Sequence, residues 1–226
     1  MNSSFKHSSE IQGFDPGELF KHGFTYGSID LIQGGSFQEV IGRTIIYLLT
    51  ARKKHKEGFI FSGATIILPP VGTSKITEES IDGALSTGLE ALRGTAPDKI
   101  ERAILKKKVR VIHCETLESG SLKELVVRES DGRLVVVADG SKYRDASVSS
   151  PLTVGLSAVR MAEDRWVPHV ASLCQHCVAA VRQTESYALI HVDETPPQNP
   201  ELEAILVAIE DCYIASIRTQ DDPEEL

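Results

Sequence analysis

The sequence predicts an α/β domain, with α+β as the alternative, built on a single mixed β-sheet flanked by helices. Three observations carry this expectation. Short apolar runs of the buried-strand kind, such as FIFSGATIIL and SYALIHVD, are separated by segments whose apolar residues recur at helical spacing. Strand and helix signals alternate along the whole chain, without an internal repeat or a low-complexity tract. A chain of 226 residues, 41% hydrophobic and 25% charged, is long enough and apolar enough to bury one large core.

The elements follow in order. Residues 1–12 are polar and are expected to be a flexible N-terminus, followed by a short turn in which Asp15 caps Pro16. Ser36 and Glu39 form a capping box for a helix whose stripe is Val40, Ile41, Thr44, Ile45, Leu48 and Leu49. That helix runs into RKKHK, cations at the negative end of its dipole, and stops at Gly58. FIFSGATIILPP is a buried strand closed by two prolines. Thr77 caps a helix with Ile81, Ala84, Leu85, Leu89 and Leu92 on one face, and a short helix through PDKIERAILKK precedes the strand VRVIHCE. KELVVRESDGRLVVVADGSKY reads as paired strands turning at Ser130–Gly132 and again at Asp139–Gly140. After the strand SYALIHVD, a last helix is expected from the Asn199 cap and Pro200, with Leu202, Ile205, Leu206, Ile209 and Tyr213 facing inward. The domain is expected to span residues 13–219, with 220–226 as an acidic tail.

Composition narrows the function classes. A net charge of −8 argues against a nucleic-acid backbone as the main partner, because that affinity comes from Lys and Arg neutralising phosphates. It leaves room for a small nucleotide, which needs only a few local donors. No apolar run reaches membrane-spanning length, and the first residues lack a signal-peptide core. Cysteines at 114, 174, 177 and 212 do not form a secreted disulfide framework. The expected location is therefore cytoplasmic.

The stretch PHVASLCQHCVAAVRQTESYALIHVDET concentrates three histidines and two cysteines. On a helical wheel Val170, Cys174, Cys177, Val178 and Val181 share one arc, so both cysteines are expected to pack as small hydrophobes. His113-Cys114-Glu115 with the later Cys-x-x-Cys matches the H-x-E and C-x-x-C pattern of zinc deaminases, but neither motif opens a helix as that chemistry needs. A redox Cys-x-x-Cys needs an exposed helix start, and Cys174 lies inside the helix. His169, close behind Pro168, is expected near the helix N-terminus, where backbone N–H groups favour anions. Ser141, Lys142 and Arg144 in ADGSKYRD fit a solvated turn as well as a phosphate contact.

From residue 36 onward, the order of elements resembles the diadenylate cyclase domain. The fragments are TIIYLLTARKKHKEGFIFSGATIIL for its opening helix and strand, DGRLVVVADGSKYRDASVSSPL for its Asp-Gly-Ala strand, and PHVASLCQHCVAAVRQTESYALIHVDET for its Arg-His-Arg helix and Ser-Glu-Glu-Thr strand. Asp131 and Gly132 match the first motif, with Arg133 in place of Ala. His169 matches the central His of the second, but Pro168 and Val170 replace both arginines. Asp193, Glu194 and Thr195 match the acidic strand end, and residues 71–125 have no counterpart, so they would be an enlargement.

The resemblance implies a nucleotide-sensing or nucleotide-binding domain used in signalling, with its ligand bound by Asp131, Gly132, Arg133, His169, Asp193, Glu194 and Thr195. Without the phosphate-clamping arginines it is expected to be catalytically inactive. Mg²⁺ or Mn²⁺ would accompany a bound nucleotide, with Asp131 and Glu194 as its carboxylates. Two alternatives stand beside this reading. One is a metal-dependent nucleotidyl transferase or hydrolase acting on nucleotides; the other is a ligand-free interaction module. The further partner would be a second copy of the chain, as a homo-oligomer, or an effector protein.

Overall fold

The structure, a computed structural model, describes residues 7–10, 16–20, 25–50, 60–94, 98–145, 166–193 and 208–218. Seven strands form one sheet: β1 (His7–Glu10), β2 (Ser28–Gln33), β3 (Gly63–Leu68), β4 (Val109–His113), β5 (Arg133–Val137), β6 (Tyr187–Val192) and β7 (Cys212–Arg218). Their order across the sheet is β1-β7-β2-β6-β5-β3-β4, and every pairing is parallel. The helices are α1 (Pro16–Leu19), α2 (Gly42–Thr50), α3 (Glu78–Arg93), α4 (Lys99–Lys108), α5 (Ser119–Glu129) and α6 (Trp166–Gln183). The expected α/β class holds. Among the described residues, no helix is long and apolar enough to cross a membrane.

A fully parallel sheet buries both of its faces, so its central strands read as continuous apolar runs. β2, β3 and β6 are buried at every position. Alternate side chains feed two cores. Ile32, Ile66, Leu68, Leu134, Val136 and Leu189 pack with Ile41, Ile45, Leu48, Leu85 and Leu89 of the α2–α3 side. Ile29, Leu31, Ile67, Val135, Val137 and Ile190 pack with Leu122, Val126, Val170, Cys174, Cys177 and Val181 of the α5–α6 side. The helices α2 and α3 cross closely through two glycines. A Cβ on Gly42 would lie 2.1 Å from the Ala84 carbonyl oxygen, and one on Gly88 would lie 2.5 Å from that of Gly42.

Several local expectations hold. Ser36 caps the helical turn Phe37–Ile41, accepting from the Glu39 N–H at 3.1 Å. Thr77 and Ser80 make a reciprocal capping box for α3, and Ile81, Ala84, Leu85 and Leu89 are buried, whereas Leu92 is exposed. Asp98 and Glu101 cap α4 in the same way, a pair that the sequence did not single out. Cys174 and Cys177 are buried on the α6 stripe.

Four expectations fail, each for a physical reason. The sheet is parallel rather than mixed, because the expected hairpin does not form. Residues 119–129 are the helix α5, with Leu122, Leu125, Val126 and Glu129 buried at i, i+3, i+4 and i+7. The β-branched pair Val126-Val127 suggested a strand, and tertiary packing overrides that propensity. Among the described residues no returning strand follows Asp139; Gly140–Lys142 form a single 3-10 turn. Residues 212–218 of the expected last helix are β7, which inserts between β1 and β2. There Tyr213 is half-exposed instead of core. Finally, residues 7–10, expected to be loose, are the edge strand β1. The RKKHK run, Gly58, Asn199, Pro200 and the acidic tail lie outside the described residues.

Candidate functional site

The sequence-predicted site splits between the two edges of the sheet. β5 and β6 run parallel in register, with Val137 beside Ile190. Six residue steps therefore separate the level of Arg133 from that of Val192, about 20 Å at strand rise. Asp131 and Gly132 lie beyond the first of these points, and Asp193 lies beyond the second. The structure does not bring Asp131, Gly132 and Arg133 together with Asp193. This corrects the expectation of one composite pocket.

The amino edge is a structural turn. Gly132 sits at φ +62, and its carbonyl accepts from the Ser62 N–H and hydroxyl, both at 2.8 Å. Arg133 spends its guanidinium on the protein itself. Its Nε donates to the Thr65 hydroxyl at 2.9 Å, and Nη2 donates to the carbonyls of Ala64 at 2.6 Å and Lys108 at 3.0 Å. Burial lowers the Arg133 pKa, and Arg110 adds to that against Glu129. A cation tied to two carbonyls is no phosphate donor. Asp131 is exposed beside this turn.

His169 and Asp193 do share an edge, the carboxyl one. His169 lies in the first turn of α6, and its Nδ1 accepts from the Asp145 N–H at 3.1 Å. Burial and Arg144 lower the His169 pKa, opposed by Asp145, so the imidazole is neutral and able to accept. Ser172 donates to the Asp145 carboxylate, and the His176 Nδ1–H donates to the Ser172 carbonyl at 2.8 Å. This network fastens Asp145 to α6. It is not a nucleophilic triad, because the hydroxyl proton is committed to the carboxylate. Glu194 and Thr195 lie outside the described residues.

Three loops converge at the same edge, and they contain groups that the sequence reading missed. β2 ends in Gly34 and Gly35, both at positive φ, and passes directly into the helical segment capped by Ser36. The Gly34 N–H donates to the Val192 carbonyl at 2.8 Å, which ties this turn to the end of β6. β5 ends in Asp139, at φ 52, whose buried carboxylate accepts from Ser74 after β3. Ser141 faces the exposed Asp193 at 3.4 Å. Gly140 allows this closeness, since a Cβ there would lie 3.0 Å from Ile190 and 3.2 Å from the His191 carbonyl oxygen. His191 is fully buried between these loops. Its Nε2–H donates to the Gly35 carbonyl at 3.2 Å, and its Nδ1 has no hydrogen-bond partner among the described residues.

The signal that could have found this edge is IQGGSFQEVIGRT, glycines directly after a buried strand and before a helix. That layout places phosphate groups on helix N–H groups when the intervening loop stays open and a lysine follows. Here the loop is closed. Phe37–Ile41 are wound into a helical turn, with Phe37, Val40 and Ile41 buried. Gly42 is consumed by the α3 contact, Arg43 stands where the lysine would be, and the Thr44 hydroxyl donates to the Val40 carbonyl at 2.8 Å. A triphosphate cradle of that kind is not built.

Metal and thiol readings fare no better. Among the described residues, no group of three or more His, Cys, Asp and Glu side chains is arranged to hold a metal ion. The His113 Nδ1 bonds to the Pro69 carbonyl at 2.9 Å instead. A hydrogen bond with Cys212 and burial raise the Cys174 pKa, and burial raises that of Cys177, so neither is an activated thiol.

The fold is a doubly wound α/β domain whose polar turns gather outside the carboxyl ends of β2, β5 and β6, while a cavity of about 460 Å³ lies at the amino edge, lined by Tyr26, Gly27, Arg182, Glu185 and Asp211. The chain matches no protein-family model, and no curated protein matches it.

Proposed function

We propose that the protein is a nucleotide-binding domain whose ligand occupies the carboxyl-edge crevice formed by β2, β5 and β6. The observation that supports it is the convergence there of the Gly34–Ser36 turn, the Asp139–Ser141 turn, Asp193 and the α6 start at His169. In a parallel sheet, ligands settle where connections leave neighbouring strands for opposite faces. β5 sends α6 to one face, while its neighbour β3 sends α3 to the other, and β2, on the far side of β6, sends α2 to the same face as α3. Helix N–H groups behind Ser36 would receive a phosphate, and Asp193 and Ser141 would receive hydroxyls or a phosphate-bound cation. The diadenylate cyclase resemblance lends this placement little, because its Asp131 motif lies at the opposite edge.

Turnover is not part of the proposal. The closed Phe37–Ile41 turn and the missing lysine leave no clamp for a transferring phosphoryl group. The alternative reading as a nucleotidyl transferase or hydrolase predicts product on incubation with ATP and Mn²⁺. The ligand-free interaction module is favoured by one observation, the packing of Phe37 edge-on against His191 with ring centroids 5.9 Å apart, which fills space beside the Gly35 turn.

Calorimetric titration of the full chain with ATP, AMP and cyclic di-AMP, with and without Mg²⁺, separates these readings. Saturable heat that Asp193→Asn reduces supports binding at this edge. A folded protein that gives no heat with any of them at millimolar concentration leaves the interaction module in its place.

A further inference from the structure

We propose that the free edge of β4, together with the basic helix α4 that leads into it, docks an acidic peptide as an added strand. β4 is the last strand of the sheet and pairs only with β3 among the described residues. The Cys114 N–H points inward to the Leu68 carbonyl at 2.8 Å. Alternation along the strand then turns Arg110 and Ile112 inward and presents the N–H and C=O groups of Val111 and His113 outward. The Val109 N–H is already taken by the Leu105 carbonyl at the end of α4. The outward row is thus a short template for an extended backbone.

Charge selects the partner. Lys99, Arg102, Lys106, Lys107, Lys108 and Arg110 face a single carboxylate, Glu101, within the same stretch, in a chain whose net charge is −8. Lys106 is paired with Asp82 at 3.0 Å, Arg110 with Glu129 at 2.8 Å and Glu101 with Arg93, while Lys99 and Lys107 are exposed, so the stretch as a whole stays basic. Among the side chains of α4 that the structure describes, none is fully buried, Leu105 packs partly buried against the α2–α3 core, and Ile104 is 52% exposed. Lysines beside an edge strand repel a basic strand and discourage neutral ones, and the same lysines attract an acidic one. A nucleic acid would use the cations but not the outward backbone groups, so the geometry favours a peptide.

The test uses the full chain and a fluorescein-labelled ten-residue peptide of alternating valine and glutamate, followed by anisotropy. The valine–lysine analogue and a single-stranded DNA ten-mer serve as controls. Binding of the glutamate peptide is expected to weaken about ten-fold or more in high salt, as screening requires. It is expected to weaken by a similar factor in Lys99→Glu/Lys107→Glu, two exposed positions whose change leaves the cores untouched. Val111→Pro removes one outward N–H without changing charge, and about a five-fold loss is expected there.

No saturable binding at millimolar peptide, equal binding of the lysine analogue, or tighter binding of the DNA overturns the proposal. Unchanged affinity in Val111→Pro protein shown by circular dichroism to be folded overturns strand addition, since attraction by charge alone would persist. A dimer of the unliganded chain that Val111→Pro abolishes would assign the edge to a second copy instead.

Discussion

The two edges of the sheet use their polar groups in opposite ways. At the amino edge, charges are consumed by the fold. Arg133 is held by the Ala64 and Lys108 carbonyls, Glu129 is shared between Arg110 at 2.8 Å and Arg128 at 3.1 Å, and Arg182 pairs with Asp211 and Glu210. Burial alone would raise the Glu129 pKa, but Arg128 and Arg110 outweigh it and hold the carboxyl below its ordinary value. At the carboxyl edge Asp139 is bonded to Ser74 and Asp145 to α6, but Asp193 is exposed and keeps only a long contact of 3.4 Å with Ser141 among the described residues. A charged residue in a loop thus says little about function until its partners are known. Arg133 and Asp193 looked alike in the sequence, and only one of them is available to a ligand.

The sharpest test of the framework between the edges is Asp30, in the middle of β2. It is buried, accepts from the Tyr187 hydroxyl, and burial pushes its pKa up to about 7 against the opposing hydrogen bond. An acid whose folded pKa is raised keeps its proton while the unfolded chain has lost it. Stability therefore falls as pH rises from about 4 to about 7, and is level above that. Asp30→Asn keeps an acceptor for Tyr187 and removes the ionisation. It is expected to flatten this pH dependence and to stabilise the protein at pH 8 by up to ~4 kcal/mol. Urea midpoints at pH 5 and pH 8 measure it, and parallel profiles for both proteins would contradict the assignment.

Next in size is Arg133→Met, which strips hydrogen bonds from the Ala64 and Lys108 carbonyls. A loss of about 2 kcal/mol in denaturant unfolding is expected, with ligand affinity unchanged. Asp193→Asn should do the reverse. Nucleotide affinity is expected to drop about ten-fold, worth ~1.4 kcal/mol, while the unfolding midpoint stays put. The smallest effect belongs to Asp131→Ala, at an exposed turn position, with stability within about 0.5 kcal/mol of the parent and no change in calorimetric binding. If Asp131→Ala abolished binding while Asp193→Asn did not, the roles of the two edges would be exchanged.

Much of the local structure was legible in the chain. Capping residues announced themselves at Ser36 and Thr77 because an N-cap needs only its own neighbours to work. The strands Gly63–Leu68 and Tyr187–Val192 were legible because burial on both faces leaves continuous apolar runs. The cysteines were legible because a helix stripe is a matter of spacing. Residues 119–129 and 212–218 were not, since a run such as LKELVV satisfies either period and its neighbours in space decide.

What the sequence alone determined is the α/β class, the caps, the apolar stripes and the absence of an activated Cys-x-x-Cys. All of these depend on residues a few positions apart. Tertiary structure alone decided which strands lie side by side, and therefore which ends of them share an edge. That ordering moved Asp131 away from Asp193 and brought Gly34, Ser74, Asp139 and Ser141 to the carboxyl edge. In a parallel sheet, the direction in which a strand runs decides which of its two ends can help form a site.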